Sequence, residues 1–268
     1  MSEADRDAFS PSLPLEILWE IALKVNRSGR SGRATWQNIM CSCRELRARC
    51  SHLINAIDID EGSYDRDEKE CLKRFPHHAT LTTLRFSLGY HDVISVLSHT
   101  GRTFPSRLSD VARIELEDTD DKLRGRLVKT IVDNCPSVST LILRIASGYY
   151  HSLRTTPQFF EAFESAVGIK NLSFESPLSR PLKAKDVSHF INVESLELCH
   201  ERIDHDVVQA LAGLPILKEL GCESLSVVSP IDGTKCAWRI LRLQEDHATE
   251  LRLLSLPSEC QAVIRDDI

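Results

Sequence analysis

No stretch of this 268-residue sequence stays apolar and uncharged long enough to predict a helix crossing a bilayer, which needs about eighteen such residues. The first apolar stretch, residues 13–25, is broken by Glu16, Glu20 and Lys24, and the polar, acidic residues 1–7 ahead of it do not resemble a secretory leader. A disulfide framework is absent too. The nine cysteines are odd in number and irregularly spaced, so they read as reduced thiols, and cytoplasmic and/or nuclear residence is the expectation. A net charge of -6 argues against a chain-wide nucleic-acid function, which depends on neutralising phosphates.

Chemistry-bearing motifs are equally scarce. There is no Gly-x-Ser-x-Gly elbow, no Gly-x-x-x-x-Gly-Lys-Ser/Thr phosphate loop and no strand-linked Gly-x-Gly-x-x-Gly. His200-Glu201-Arg202-Ile203-Asp204-His205 comes nearest to a zinc-protease helix, but its histidines are five apart. On a helix that spacing leaves the two rings about 140° apart, and the segment reads instead as a turn after a strand. Cys41-x-Cys43 with Cys50 and His52 matches no usual zinc spacing and suits small apolar side chains on helices. These absences nominate no catalytic residue, no metal ligand and no cofactor.

What the sequence does contain begins at Ser10. Pro14 suits the first turn of a helix, where its missing N–H costs nothing, and Glu16 favours the positive end of the dipole. Pro14, Ile17, Leu18, Ile21 and Val25 form one apolar stripe, and Leu15, Trp19 and Leu23 a second. A short helix with two apolar faces has two surfaces to bury, one of which suits another chain. Residues 26–33 break it with Gly29 and Gly32, and two further short helices follow over residues 34–41 and 43–54. Three such helices are too few for a core of their own. Between Lys24 and Arg49, counting both, seven basic residues face the single acid Glu45, a pattern of either a solvated face or contact with an acidic partner.

The segment Leu13-Pro14-x-Glu16-Ile17-Leu18-x-x-Ile21, with Cys43-Arg44-Glu45-Leu46-Arg47 after the loop, resembles the F-box family. That family opens on Leu-Pro-x-Glu and closes on a Cys-Arg-Arg-Trp-Arg-like segment about thirty residues on, in keeping with the distance from Leu13 to Cys43. Two departures stand out: Leu46 replaces the frequent Trp, and the Arg/Gly/Ser loop replaces the usual connection. The resemblance covers residues 9–55. It implies docking on the Skp-type adaptor of an SCF (cullin-based) ubiquitin ligase through Leu13, Pro14, Ile17, Leu18 and Ile21, and more weakly through Ile39, Cys43 and Leu46. Residues 1–8 ahead of it read as a disordered N-terminus.

Beyond residue 56 an apolar triplet recurs: Leu81-x-x-Leu84-x-Phe86, Val111-x-x-Ile114-x-Leu116, Val138-x-x-Leu141-x-Leu143, Ile169-x-x-Leu172-x-Phe174, Val193-x-x-Leu196-x-Leu198 and a weaker Leu217-x-x-Leu220-x-Cys222. Middle positions are 30, 27, 31, 24 and 24 residues apart, near the period of leucine-rich repeats. Ile57-Asp58-Ile59 suits a first strand, and helices are predicted over residues 123–134, 157–167, 184–191 and 204–214. Alternating strands and helices imply an α/β architecture with parallel strands.

The pattern resembles the degenerate leucine-rich-repeat domains that commonly follow an F-box, and implies an irregular solenoid over residues 56–268; an ordinary open α/β sheet is the alternative. The family places Asn or Cys three residues past each triplet to tie neighbouring turns together. Here Gly89, Thr119, Ala146, Pro177, Glu201 and Leu225 stand there, so that ladder is expected to be missing. Residues 61–70 read as a polar surface insertion, and the end beyond Ser229 as a terminal cap to which either Trp238-x-x-Leu241-x-Leu243 or Leu251-x-x-Leu254-x-Leu256 contributes a strand. The expected function is a non-catalytic adaptor that joins an unidentified target protein to the ligase. The rival expectation is a free-standing repeat scaffold whose N-terminal helices only cap the stack.

Overall fold

The computed structural model describes residues 56–60, 81–118, 122–145, 152–232, 236–244 and 248–264. Residues 1–55 and the polar insertion at 61–70 lie outside that set. The protein is α/β, with nine parallel strands in one sheet among the described residues.

In chain order the elements are β1 (Ala56–Asp60), β2 (Thr83–Ser87), α1 (Tyr90–Thr103), β3 (Arg113–Asp118), β4 (Lys122–Leu123), α2 (Gly125–Asn134), β5 (Thr140–Ile145), β6 (Arg154–Thr155), α3 (Pro157–Glu161), β7 (Asn171–Phe174), α4 (Ala184–Val187), β8 (Ser195–Asp204), α5 (His205–Ala212), β9 (Glu219–Ser226), β10 (Ile240–Leu243), α6 (Ala248–Leu253) and β11 (Gln261–Ile264). The large sheet runs β1-β2-β3-β5-β7-β8-β9-β10-β11, so each new strand joins the edge left by the one before, and β4 and β6 form a small parallel pair beside it.

The recurring triplet sets the register. Ile57, Leu84, Ile114, Leu141, Leu172, Leu196, Leu220 and Leu241 pair successively with one another across the sheet. The first and third residues of every triplet from Leu81 to Trp238 are buried in the same core cluster. A slip of one residue on any strand would turn its apolar set out of the core, which is why register is held so strictly.

Helices pack on one face. In α1 the buried residues Tyr90, Val93, Ile94, Val96, Leu97 and Thr100 recur at three- and four-residue steps. This fourteen-residue helix was not expected from the sequence, because His91, Asp92, Ser95, Ser98 and His99 dilute its stripe. The helix predicted over 123–134 starts two residues later, since Lys122 and Leu123 are drawn into pairing with β6. α3 begins at a Thr156 cap, whose hydroxyl accepts the Phe159 N–H at 3.2 Å, with Pro157 at its first position. It passes into a 3₁₀ turn over Ala162–Glu164 instead of running to 167. α4 is a single turn, shorter than the predicted 184–191, and passes into turns before β8. Beneath α3, Phe159, Phe160, Phe163, Phe174 and Phe190 meet mostly edge to face, with centroids 5.4–6.5 Å apart.

Three further details depart from expectation. The segment around His200 is strand: β8 runs through it, with a register irregularity between Leu198 and Arg202, and pairs with β9 again at Arg202–Asp204. A side chain does tie neighbouring units at one supposedly unfit position, for Glu201 Oε1 accepts the backbone N–H of Leu178 at 2.6 Å. Ser176 acts similarly, accepting the Ile145 N–H at 2.9 Å. At the C-terminal end the Trp238 triplet supplies β10, which pairs with β9 as another full member. The Leu251 triplet instead lies on the end of α6 and a bridge from Leu254 to Ile231, and the last strand is β11.

Candidate functional site on the sheet face opposite the helices

Because side chains alternate along a strand, each triplet that fills the core sends its intervening residues to the other face. In the register row between the two apolar positions stand Asp58, Arg85, Glu115, Ile142, Ser173, Glu197, Gly221, Arg242 and Val263. The row two residues further on includes Ser87, Glu117, Arg144 and, just beyond β7, Glu175. Opposite charges therefore sit on adjacent strands.

Glu115 is the centre of the first cluster. Its Oε1 accepts from Arg85 Nε at 3.0 Å and from Arg113 Nε at 2.9 Å, and its Oε2 from Arg144 Nη2 at 3.2 Å. Its side chain is only 6% exposed, so the carboxylate is desolvated and held by three guanidiniums. Burial pushes the Glu115 carboxyl up, but the hydrogen bond from Arg113 and the charge and hydrogen bond of Arg85 outweigh it, leaving it below its ordinary range. Arg85 also reaches Asp58 at 3.4 Å, and Arg144 reaches Glu175 at 3.5 Å. One charge network thus runs across β1, β2, β3 and β5 to the residue just past β7. Ile142 is buried on this face without joining the core cluster.

A second cluster lies on β8, β9 and β10, where Arg242 contacts Glu219 at 2.8 Å and Glu197 at 3.6 Å. Glu197 reaches Arg242 by crossing Gly221, whose missing side chain leaves the space. Glu175 and Glu219 are over a third exposed, against 6% for Glu115, so the accessible carboxylates lie in the middle and distal strands.

Burial pushes the Cys135 thiol up to about 12 and the Cys222 thiol up as well, which leaves neither as a ready thiolate. His205 Nε2 lies 3.2 Å from Ser229 Oγ, but its Nδ1 is buried with no hydrogen-bond partner, so nothing orients the ring as a base. Among the described residues no group of three or more His, Cys, Asp or Glu is placed to hold a metal ion.

The residues that the sequence singled out for adaptor binding, Leu13, Pro14, Ile17, Leu18, Ile21, Ile39, Cys43 and Leu46, all lie outside the described residues. The arginine–glutamate rows do not stand out in the sequence, although the same triplet positions carry the signal: Arg85, Glu115, Glu197 and Arg242 all occupy the residue between the last two apolar ones. No protein-family model matches the chain, and no curated protein matches it in sequence. No helix among the described residues is long and apolar enough to cross a membrane.

Proposed function

We propose that this chain is a non-catalytic recruiting subunit of an SCF-type ubiquitin ligase. Residues 9–55 form an F-box-like module that docks on a Skp-type adaptor and through it on a cullin scaffold, and residues 56–268 form an irregular leucine-rich-repeat-like solenoid that binds a target protein. The observation that carries the reading is the Leu13-Pro14-x-Glu16 and Cys43-Arg44-x-Leu46 pair, correctly spaced, directly ahead of the repeating domain. In the large sheet, strand order strictly following chain order, with one triplet for each of its strands from β2 to β10, supports the repeat reading, because each unit then buries its apolar residues against its neighbours. The rows of paired charges on the face opposite the helices are the surface offered to the target. Recruitment acts by raising the target's effective concentration near the charged conjugating enzyme.

Co-purification with a Skp-type adaptor tests this, comparing the native chain with a Leu13→Ala/Pro14→Ala double variant. Truncating buried apolar contacts of this size costs roughly 2–4 kcal/mol, or about 30- to 1000-fold in affinity. Loss of binding with an unchanged circular dichroism spectrum is the expected result. Failure of the native chain to bind overturns the ligase reading and leaves a free-standing repeat scaffold.

A further inference from the structure

The helix-bearing side of the protein carries a second, unlike surface. Where the N-terminal ends of α2 and α3 meet, a groove of about 620 Å³ opens, and Lys122, Arg124, Arg126 and Lys129 all line it. All four are exposed, and none pairs with a carboxylate among the described residues. Among the described residues no acidic side chain lines the groove, although Asp133, Glu161 and Glu164 stand on or next to the same helices. Four cations with no carboxylate partner among the described residues, around one groove in a chain whose net charge is -6, mark a local reversal of sign.

The groove wall is also built from backbone. Gly125 opens α2, and a Cβ there would collide with the carbonyl oxygen of Gln158, so the start of α2 is pressed against α3. The residue ahead of it, Arg124, supplies no side-chain cap, and the first turn of α2 holds no acid. The free N–H groups and positive end of this ten-residue helix therefore add to the four side chains. Part of the floor is Ala162, and the aliphatic stems of the lysines and arginines extend that apolar surface.

We infer that this groove binds an acidic, carboxylate-rich segment of a partner protein. Its volume is several times that of a single small anion, and its open shape with an apolar floor suits an extended peptide. Among the described residues no aromatic side chain lines it, so they offer no stacking platform of the kind single-stranded nucleic acid uses. The inference does not rest on the ligase reading, since the groove is on the opposite side of the sheet from the charge rows and far in sequence from residues 9–55.

The experiment is fluorescence anisotropy of a labelled poly-Glu/Asp peptide titrated with the full chain at low and high salt. Binding that weakens with salt, and falls at least about tenfold in Arg124→Glu/Lys129→Glu, is expected. Lys185→Glu/Arg239→Glu makes the same charge change at exposed residues elsewhere and is expected to bind as the native chain does. If the first variant fails to fold by circular dichroism, Lys122→Gln/Arg126→Gln takes its place with the same expected loss. No binding by the native chain, or an equal loss in the control variant, overturns the inference. So does tighter binding of a single-stranded oligonucleotide of equal charge that the groove variant also weakens, which would assign the groove to nucleic acid.

Discussion

Glu197 in β8 lies over Gly221 in β9, so closely that a Cβ on the glycine would collide with its carboxylate, and by crossing that glycine it comes within 3.6 Å of Arg242 in β10. A side chain thus links alternate strands over the one position in its row that has none. Gly221 is required here for close approach rather than for an unusual backbone angle. Gly221→Ala is expected to push the flexible Glu197 carboxylate aside and loosen its ion pair with Arg242, a loss of about 0.5–1 kcal/mol. In a Glu197→Ala background the same change should cost little. Urea denaturation of the four proteins in this cycle measures the coupling, and equal costs in both backgrounds would refute it.

Glu115 predicts behaviour in acid. Its folded carboxyl is held below its ordinary range, so the stabilisation is fully present above the unfolded value of about 4.3 and is lost as pH falls through the lowered folded value. Glu115→Gln should therefore be less stable than the native chain at neutral pH, with the difference shrinking as the pH falls below about 4. Truncation by Glu115→Ala leaves three arginines without their shared acceptor and should cost about 3 kcal/mol at neutral pH. Chemical denaturation across the acid range is the measurement.

Glu201 works in the opposite sense. Burial pushes its carboxyl up, the hydrogen bond from Leu178 N–H pulls it down, and the charge of Glu223 adds to the rise; the net direction is upward. Stability from this group is thus fully present below its unfolded value, about 4.3, and declines as pH rises through the raised folded value. Glu201→Gln keeps an acceptor for Leu178 and removes the buried charge, so its melting temperature at neutral pH should equal or exceed that of the native chain. Glu201→Ala strands the Leu178 N–H and should cost about 1–3 kcal/mol. A neutral-pH melt in which glutamine is as damaging as alanine would contradict this account.

Thiol reactivity separates the buried cysteines from the rest. Cys135 and Cys222 sit in the apolar core with their thiols pushed up, so alkylation of the folded protein should spare both. Mass spectrometry after a timed iodoacetamide pulse is expected to find them modified only once denaturant is added. Rapid labelling of either in the native state would mean that the sheet opens locally around β9 or the end of α2.

Much of the main sheet was legible in the chain. The spacing Leu84, Ile114, Leu141, Leu172, Leu196, Leu220 is the register itself, because a strand with one buried face repeats its apolar residues every second position. Short or polar elements were not. α1 carries histidines, serines and an aspartate among its apolar residues, and β4, β6 and β11 are only two to four residues long. Such segments form because neighbours supply their hydrogen bonds and burial, and nothing local announces them.

The same division applies to function. By itself the sequence determined the parallel α/β character, the positions of the main strands and the resemblance at residues 13–47, since each depends on residue type and spacing along the chain. Only the tertiary structure decided that Glu115 gathers three arginines from three strands, that Glu201 ties itself to Leu178, and that Lys122, Arg124, Arg126 and Lys129 share a groove against α3. Charges act through space and over a few ångströms, so their partners are set by which strands and helices lie side by side, and that is a property of the packed sheet rather than of any one segment.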